Sequence, residues 1–69
     1  MQPHEQRVVD EKQELDVKRQ ALAQFIGGSV YSNLPQVDQG LLARQHDIMV
    51  DYSTILSKRI ARFQTGEVT

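Results

Sequence analysis

The chain contains no cysteine and no tryptophan among its 69 residues. The missing cysteines exclude disulfides and thiolate metal sites. The two histidines, His4 and His46, are too far apart to resemble a structural zinc motif, so we predict no metal and no other cofactor. So short a chain buries a limited core by itself, and small domains usually gain stability from disulfides, a metal or oligomerisation. The composition therefore favours oligomerisation.

An excess of positive charge and a long apolar run are also missing. The net charge is -1, whereas a protein that binds duplex nucleic acid non-specifically carries a basic excess. No apolar run approaches the roughly 18 residues of a membrane span, and no signal peptide is visible. We therefore expect a soluble intracellular protein whose partners include neither a membrane nor duplex nucleic acid.

The sequence predicts one all-α domain over residues 1–69. Its elements are a helix over about 4–26, a connector over 27–34 that has room for a single helical turn, a helix over about 35–63 and a frayed tail over 64–69.

These boundaries follow from helix propensity and from glycine and proline. The first helical segment holds neither residue and is rich in good helix formers, and Pro3 stands just before it. Ion pairs between residues four apart also favour this helix: Arg7 with Glu11, Lys12 with Asp16 and Glu14 with Lys18. Gly27 and Gly28 end it, because glycine readily adopts the left-handed conformation of a helix C-terminal cap. The second helix begins near Pro35, with Asn33 a better cap than Leu34.

Seven-residue spacing runs through both predicted helices. Its members are Val8, Leu15 and Leu22 in the first helix and Leu42, Met49, Leu56 and Phe63 in the second. Three residues after these members, where a coiled coil would place a second apolar row, the residues are mostly polar. They are Glu11, Lys18 and Phe25 in the first helix and Gln45, Tyr52 and Arg59 in the second. Polar groups beside an apolar row are costly when buried without partners. We expect those partners to be other subunits or a bound polar ligand.

A second apolar stripe, formed by Leu41, Ile48 and Ile55, points about 100° away from the Leu42 series. One stripe can face the first helix, and the other needs another surface. The predicted fold is therefore an antiparallel helical hairpin with a short connector element, assembled into a symmetric homo-oligomer.

Catalysis is not indicated by any motif. The chain has no cysteine nucleophile and no recognisable arrangement of histidine and serine. Gly27-Gly28-Ser29 lacks the Lys-Ser/Thr that follows the glycines of a phosphate-binding loop. We predict that the protein is not an enzyme.

Polar candidates for a ligand site lie on both helices. Arg7 and Lys18 could donate hydrogen bonds to phosphate, with Glu11 orienting one of them, or they could form a solvated flank with an Arg7–Glu11 ion pair. Tyr52 and Arg59 could line a polar cavity between subunits, or they could serve as a partly buried ring and a helix-terminal charge.

His4 also has two readings. It is either an ordinary surface residue at the start of the first helix or a flat ring that stacks on a base.

Two segments carry a resemblance to a known family: HEQRVVDEKQELDVKRQALAQFI and QHDIMVDYSTILSKRIARF. The shared positions are His4, Arg7, Val8, Glu11, Leu15, Lys18, Leu22, Phe25, Ile26, Gln45, Met49, Tyr52, Leu56, Arg59 and Ile60. This pattern resembles the small phage anti-CBASS sponges of the second type, which counter bacterial immune signalling by cyclic oligonucleotides.

The resemblance implies a homohexamer in the cytoplasm of the infected bacterial host. Cyclic dinucleotides would bind between subunits without being cleaved, and cyclic trinucleotides would bind at separate sites. A base-stacking ring and a phosphate-binding lysine on the first helix are also implied, and their nearest matches are His4 and Lys18. Arg59 and Arg62 are implied for the trinucleotide site.

A second function class fits the same residues. A helical hairpin with an exposed apolar face could inhibit a host defence or regulatory protein by binding to it.

Overall fold

The computed structural model of the protein describes residues 2–65, and the side chains up to residue 63. Three helices form this part of the chain: α1 (Pro3–Ile26), α2 (Ser29–Ser32) and α3 (Gln36–Thr65). No strand occurs between residues 2 and 65. The all-α prediction is confirmed. Of the predicted tail, residues 64 and 65 belong to α3, and 66–69 lie outside the described residues.

α1 begins at Pro3, whose missing amide hydrogen is tolerated in the first helical turn. The backbone amide of Gln2 donates a hydrogen bond of 2.8 Å to Oε1 of Glu5, which ties the chain to that turn. At the other end, Gly27 donates its amide to the carbonyl of Ala23 over 3.1 Å. This bond joins residues four apart, as in an α-helix, so Gly27 continues the right-handed geometry of α1.

The predicted left-handed cap is wrong. Gly27 has φ -78° and ψ -3°, in the right-handed region, and Gly28 is extended with φ -97° and ψ 172°. The chain leaves α1 through this extended residue and enters α2 directly. Glycine's access to positive φ is therefore not used at this turn.

The connector is held by its own hydrogen bonds. The hydroxyl of Tyr31 in α2 donates to the carbonyl of Gln39 in α3 over 3.0 Å. The side-chain amide of Gln39 donates back to the carbonyls of Ser32 and Leu34 over 3.2 and 2.9 Å. Phe25 meets Tyr31 edge to face with ring centroids 6.5 Å apart. We call this group the connector clamp.

α3 follows Pro35, whose carbonyl accepts the amide of Gln39 over 3.0 Å. The helix runs back along α1, as two contacts show. The rings of His4 and Phe63 meet edge to face at 6.3 Å, and the hydroxyl of Ser53 donates to Oδ1 of Asp16 over 2.6 Å. The described residues form a rod with extents of 48 × 15 × 14 Å.

The core of this rod is small. Among the described residues Leu56 is fully buried and Val8 is 6% exposed, and Ser53 is the one buried polar residue. The second apolar stripe remains in solvent, with Leu41, Ile48 and Ile55 exposed by 65%, 54% and 56%. A single copy therefore leaves large apolar side chains uncovered.

Candidate functional site

We call the surface where α1 meets α3 the seam. Part of it is formed by a row of residues on each helix that the sequence pattern did not single out. On each helix, the described residues four positions after the members of the heptad series are buried or half-buried, and not those three positions after them. This row consists of Lys12, Arg19 and Ile26 in α1 and of His46, Ser53 and Ile60 in α3. At about 100° per residue, this row stands about 40° from the heptad series, and the row three residues on stands about 60° away on the other side.

A polar cluster in the middle of the seam surrounds Asp16. Its carboxylate accepts hydrogen bonds from Lys12 Nζ at 2.5 Å and from the buried hydroxyl of Ser53 at 2.6 Å. Arg19 Nε lies 3.5 Å from the same carboxylate. The Asp16 side chain is 25% exposed. The partners that the carboxylate of Asp16 requires are therefore supplied within the chain itself.

These partners change the acidity of Asp16. The hydrogen bonds from Lys12 and then from Ser53 stabilise the charged carboxylate and lower the pKa of Asp16 from 3.8 to about 2. The predicted Lys12–Asp16 ion pair is confirmed, whereas the bond from Ser53 across the seam was not predicted. The four-residue spacing of Lys12 and Asp16 signals a helical ion pair, but nothing in the sequence alone marks Ser53 as its partner across the seam.

His46 is a seam residue with an unsatisfied polar atom. Its Nε2 atom is buried and has no hydrogen-bond partner among the described residues. Burying a ring nitrogen without a partner is unfavourable.

The polar row three residues after each heptad series lies beside the seam. Lys18 on α1 and Tyr52 and Arg59 on α3 are exposed. The rows are displaced from the seam in the same rotational sense on both helices. Two helices that face each other and run in opposite directions bring such rows to the same side of the pair. We call this side the flank; it comprises His4, Glu11, Lys18 and Phe25 on α1 and Gln45, Tyr52 and Arg59 on α3.

Lys18 and Tyr52 lie at the same height along the flank. Lys18 is two residues beyond Asp16 on α1, and Tyr52 is one residue before Ser53 on α3. Because the helices run in opposite directions, both steps lead from the Asp16–Ser53 contact toward the connector. At about 1.5 Å per residue, the two residues differ in height by less than about 2 Å.

A second group lies near the end of the rod that is remote from the connector. Arg7 is three residues after His4, and Arg59 is four residues before Phe63, so both step from the His4–Phe63 contact toward the connector. Arg7 lies one row outside the flank and is also exposed. The five predicted site residues thus fall at two heights along the rod. Lys18 and Tyr52 are near the Asp16–Ser53 contact, and His4, Arg7 and Arg59 are near the His4–Phe63 contact.

The positive charges on the flank are not neutralised by the predicted helical ion pairs. Between residues 2 and 63, the ion pairs join Asp16 to Lys12 and to Arg19. Neither Arg7–Glu11 nor Glu14–Lys18 is formed in that range. Lys18, Arg7 and Arg59 are thus exposed and form no ion pair within that range.

Two further features concern metals and membranes. The described residues hold no group of three or more histidines, aspartates and glutamates that could bind a metal ion. No helix in the described part of the chain combines the length and the apolar composition needed to cross a membrane.

Comparison with known proteins places the chain in a family. The Sequestin family model matches residues 2–62. The chain belongs to the Sequestin family. This member is also 34% identical over 64 residues to a 7.5 kDa protein of the denB-rIIB intergenic region of Enterobacteria phage T4, an alignment that covers 93% of the chain and 100% of its relative. No solved structure matches the chain.

The match to Sequestin covers the seam, the flank and the connector clamp. It connects this all-helical protein with a small phage protein and, through the family name, with sequestration.

Proposed function

We propose that this Sequestin is a phage immune-evasion protein that acts in the cytoplasm of the infected bacterial host. It binds the cyclic dinucleotide messengers of CBASS signalling and holds them without cleaving any bond. Cyclic trinucleotides bind at separate sites. The family name and the phage relative support sequestration, and the chemistry of the flank supports a nucleotide as the ligand.

The observation that carries this proposal is that Lys18 and Tyr52 are both exposed, at about the same height and on the same side of the helix pair. A cyclic dinucleotide presents two phosphates and two flat bases. The Lys18 ammonium donates charge-assisted hydrogen bonds to a phosphate, and the Tyr52 ring, 41% exposed, offers a surface on which a base can stack. His4, Arg7 and Arg59 provide a second ring and two guanidinium groups further along.

In this proposal, six copies of the chain, each an antiparallel helical hairpin, assemble into a homohexamer. The exposed stripe of Leu41, Ile48 and Ile55 supports assembly, since burying it would remove a continuous apolar surface from water. A twofold axis between protomers would present Lys18 and Tyr52 twice, once for each half of a symmetric ligand.

Isothermal titration against a panel of cyclic di- and trinucleotides tests the proposal directly. We expect sub-micromolar affinity and one cyclic dinucleotide for each pair of chains. Chromatography of the ligand after release should show it unchanged. Absence of binding across the panel would instead favour the second function class, in which the apolar stripe docks on a host protein.

The variant Lys18→Ala sharpens that test. We expect the affinity for a cyclic dinucleotide to fall about 100-fold, because each symmetric ligand loses two charge-assisted hydrogen bonds. Lys58→Ala is the matched control, since Lys58 is an exposed lysine outside the flank. Equal affinities of wild type and Lys18→Ala would remove Lys18 from the site.

A further inference from the structure

The exposed stripe of Leu41, Ile48 and Ile55 is symmetric about its central residue. Seven residues separate Ile48 from each of the other two. If two copies of α3 pack in opposite directions through this stripe, Ile48 meets Ile48, and Leu41 meets the partner's Ile55. The same surface on both copies is what a twofold interface requires.

The charges beside the stripe decide between the two possible directions. Arg44 and Asp51 lie on one side of it, and Asp38 and Arg59 lie on the flank side. All four are exposed, and none takes part in an ion pair within the described residues. They are therefore available to a second copy.

Packing in opposite directions brings opposite charges together. With Ile48 on the axis, Arg44 faces the partner's Asp51, and Asp38 faces the partner's Arg59. Each pair occurs twice because of the twofold axis. Gln45 faces the partner's Tyr52 in the same way, which gives the phenol hydroxyl an amide partner. Packing in the same direction would instead place Arg44 beside the partner's Gln45 and Asp51 beside the partner's Tyr52, so that no opposite charges would meet.

From these observations we infer that two copies of this chain dock through α3, in opposite directions, with Ile48 on the twofold axis. The occupant of the stripe is a second copy because the stripe and all four charges complement themselves.

This docking has a consequence for the flank. Seen from α3, the stripe lies about 120° around the helix from the seam, and the flank row lies between them. The α1 helices of both copies therefore stand on the same side of the α3 pair. They enclose a trough whose walls carry both Lys18 residues and whose floor carries both Tyr52 residues. That this trough binds the nucleotide rests on the proposed function, whereas the docking itself does not.

The absence of cysteine allows a direct test by disulfide crosslinking. Under mild oxidation, Ile48→Cys should form a disulfide-linked dimer on a non-reducing gel, because the two residues meet on the axis. Ile55→Cys alone should not, because its two copies would stand about 21 Å apart, far beyond disulfide range. A mixture of Leu41→Cys and Ile55→Cys should link. Equal crosslinking of Ile48→Cys and Ile55→Cys, or none with Ile48→Cys, would overturn the inference.

A charge exchange provides the second variant. Arg44→Asp and Asp51→Arg should each reduce the molar mass measured by light scattering, and the double variant should restore it. Asp10→Arg, a charge reversal at an exposed position on the side of α1 that points away from α3, is the control and should leave the mass unchanged. Single variants that associate like wild type, or a double variant that is not restored, would contradict the proposed pairing.

Titration of the crosslinked Ile48→Cys dimer with a cyclic dinucleotide separates this inference from the proposed function. A linked dimer that binds no nucleotide would leave the docking intact and refute the function. Nucleotide binding by wild type, without crosslinking of Ile48→Cys, would do the opposite.

Discussion

The seam and the flank use polar residues in opposite ways. In the seam, Asp16 is half-enclosed and accepts hydrogen bonds from Lys12 and Ser53 within the same chain. On the flank, Lys18 and Arg59 are exposed and form no ion pair with the described residues. Both regions contain polar residues that lie beside an apolar row on the same two helices. The difference lies in the partners: Asp16 has its partners inside the chain, whereas Lys18 and Arg59 have no ion-pair partner among the described residues.

The contrast predicts that seam variants change folding and flank variants change binding. The largest effect should come from Leu56, the fully buried side chain. Leu56→Ala should lower the free energy of unfolding by about 2–5 kcal/mol, because it removes buried methyl groups and leaves a cavity. Urea denaturation followed by circular dichroism measures this.

The matched control is Val17→Ala, at a position 68% exposed, which should change stability by less than about 0.5 kcal/mol. Similar losses in the two variants would show that the seam is not the principal source of stability.

The polar cluster of the seam should make stability depend on pH. The pKa of Asp16 is lowered from 3.8 to about 2, so its ionised form stabilises the fold. This contribution is complete above about pH 4 and is lost as the pH falls from about 4 to 2. Asp16→Asn should therefore cost about 1 kcal/mol at pH 7, a value moderated by solvent at the partly exposed carboxylate, and little at pH 2.

Thermal unfolding at pH 7, 4, 3 and 2 checks this dependence. Asp47→Asn, at an exposed position of α3, is the control and should follow the wild type. An Asp16→Asn loss of the same size at every pH would contradict the assigned role of the carboxylate.

A smaller effect of opposite sign is expected at His46, the seam residue whose buried Nε2 has no partner among the described residues. His46→Leu should raise the free energy of unfolding by up to about 1 kcal/mol, since it replaces an unsatisfied nitrogen with an apolar group. Differential scanning calorimetry at pH 7 provides the measurement. A lower melting temperature would show that the imidazole has a stabilising contact.

Helix propensity and glycine position were sufficient to place the helices to within one or two residues of the observed bounds. α1 begins at Pro3 and not at residue 4, and α3 ends at Thr65 and not at 63. The turn at Gly27 was predicted in the wrong conformation, because glycine permits a left-handed cap without requiring one.

The assignment of the seam rows shows where a heptad pattern becomes ambiguous. Rows three and four residues after Val8 begin with Glu11 and Lys12, which are equally polar, so composition does not distinguish them. The choice depends on which polar residues find partners across the helices, and the Asp16–Ser53 bond joins residues that are far apart in sequence. The polar rows three residues after the heptad series nevertheless share one side of the helix pair, because the same offset on two antiparallel helices leads to the same side.

The connector clamp has a consequence for how the chain reaches its structure. Tyr31, Gln39 and the carbonyls they bind are close in sequence, so this bend can form early, at a small entropic penalty for loop closure. Once it exists, the two long helices are held within reach of each other, and the remaining contacts can close progressively away from the bend. Helical proteins rich in contacts between residues close in sequence fold in microseconds to milliseconds. A newly synthesised chain would therefore expose its apolar residues to aggregation only briefly.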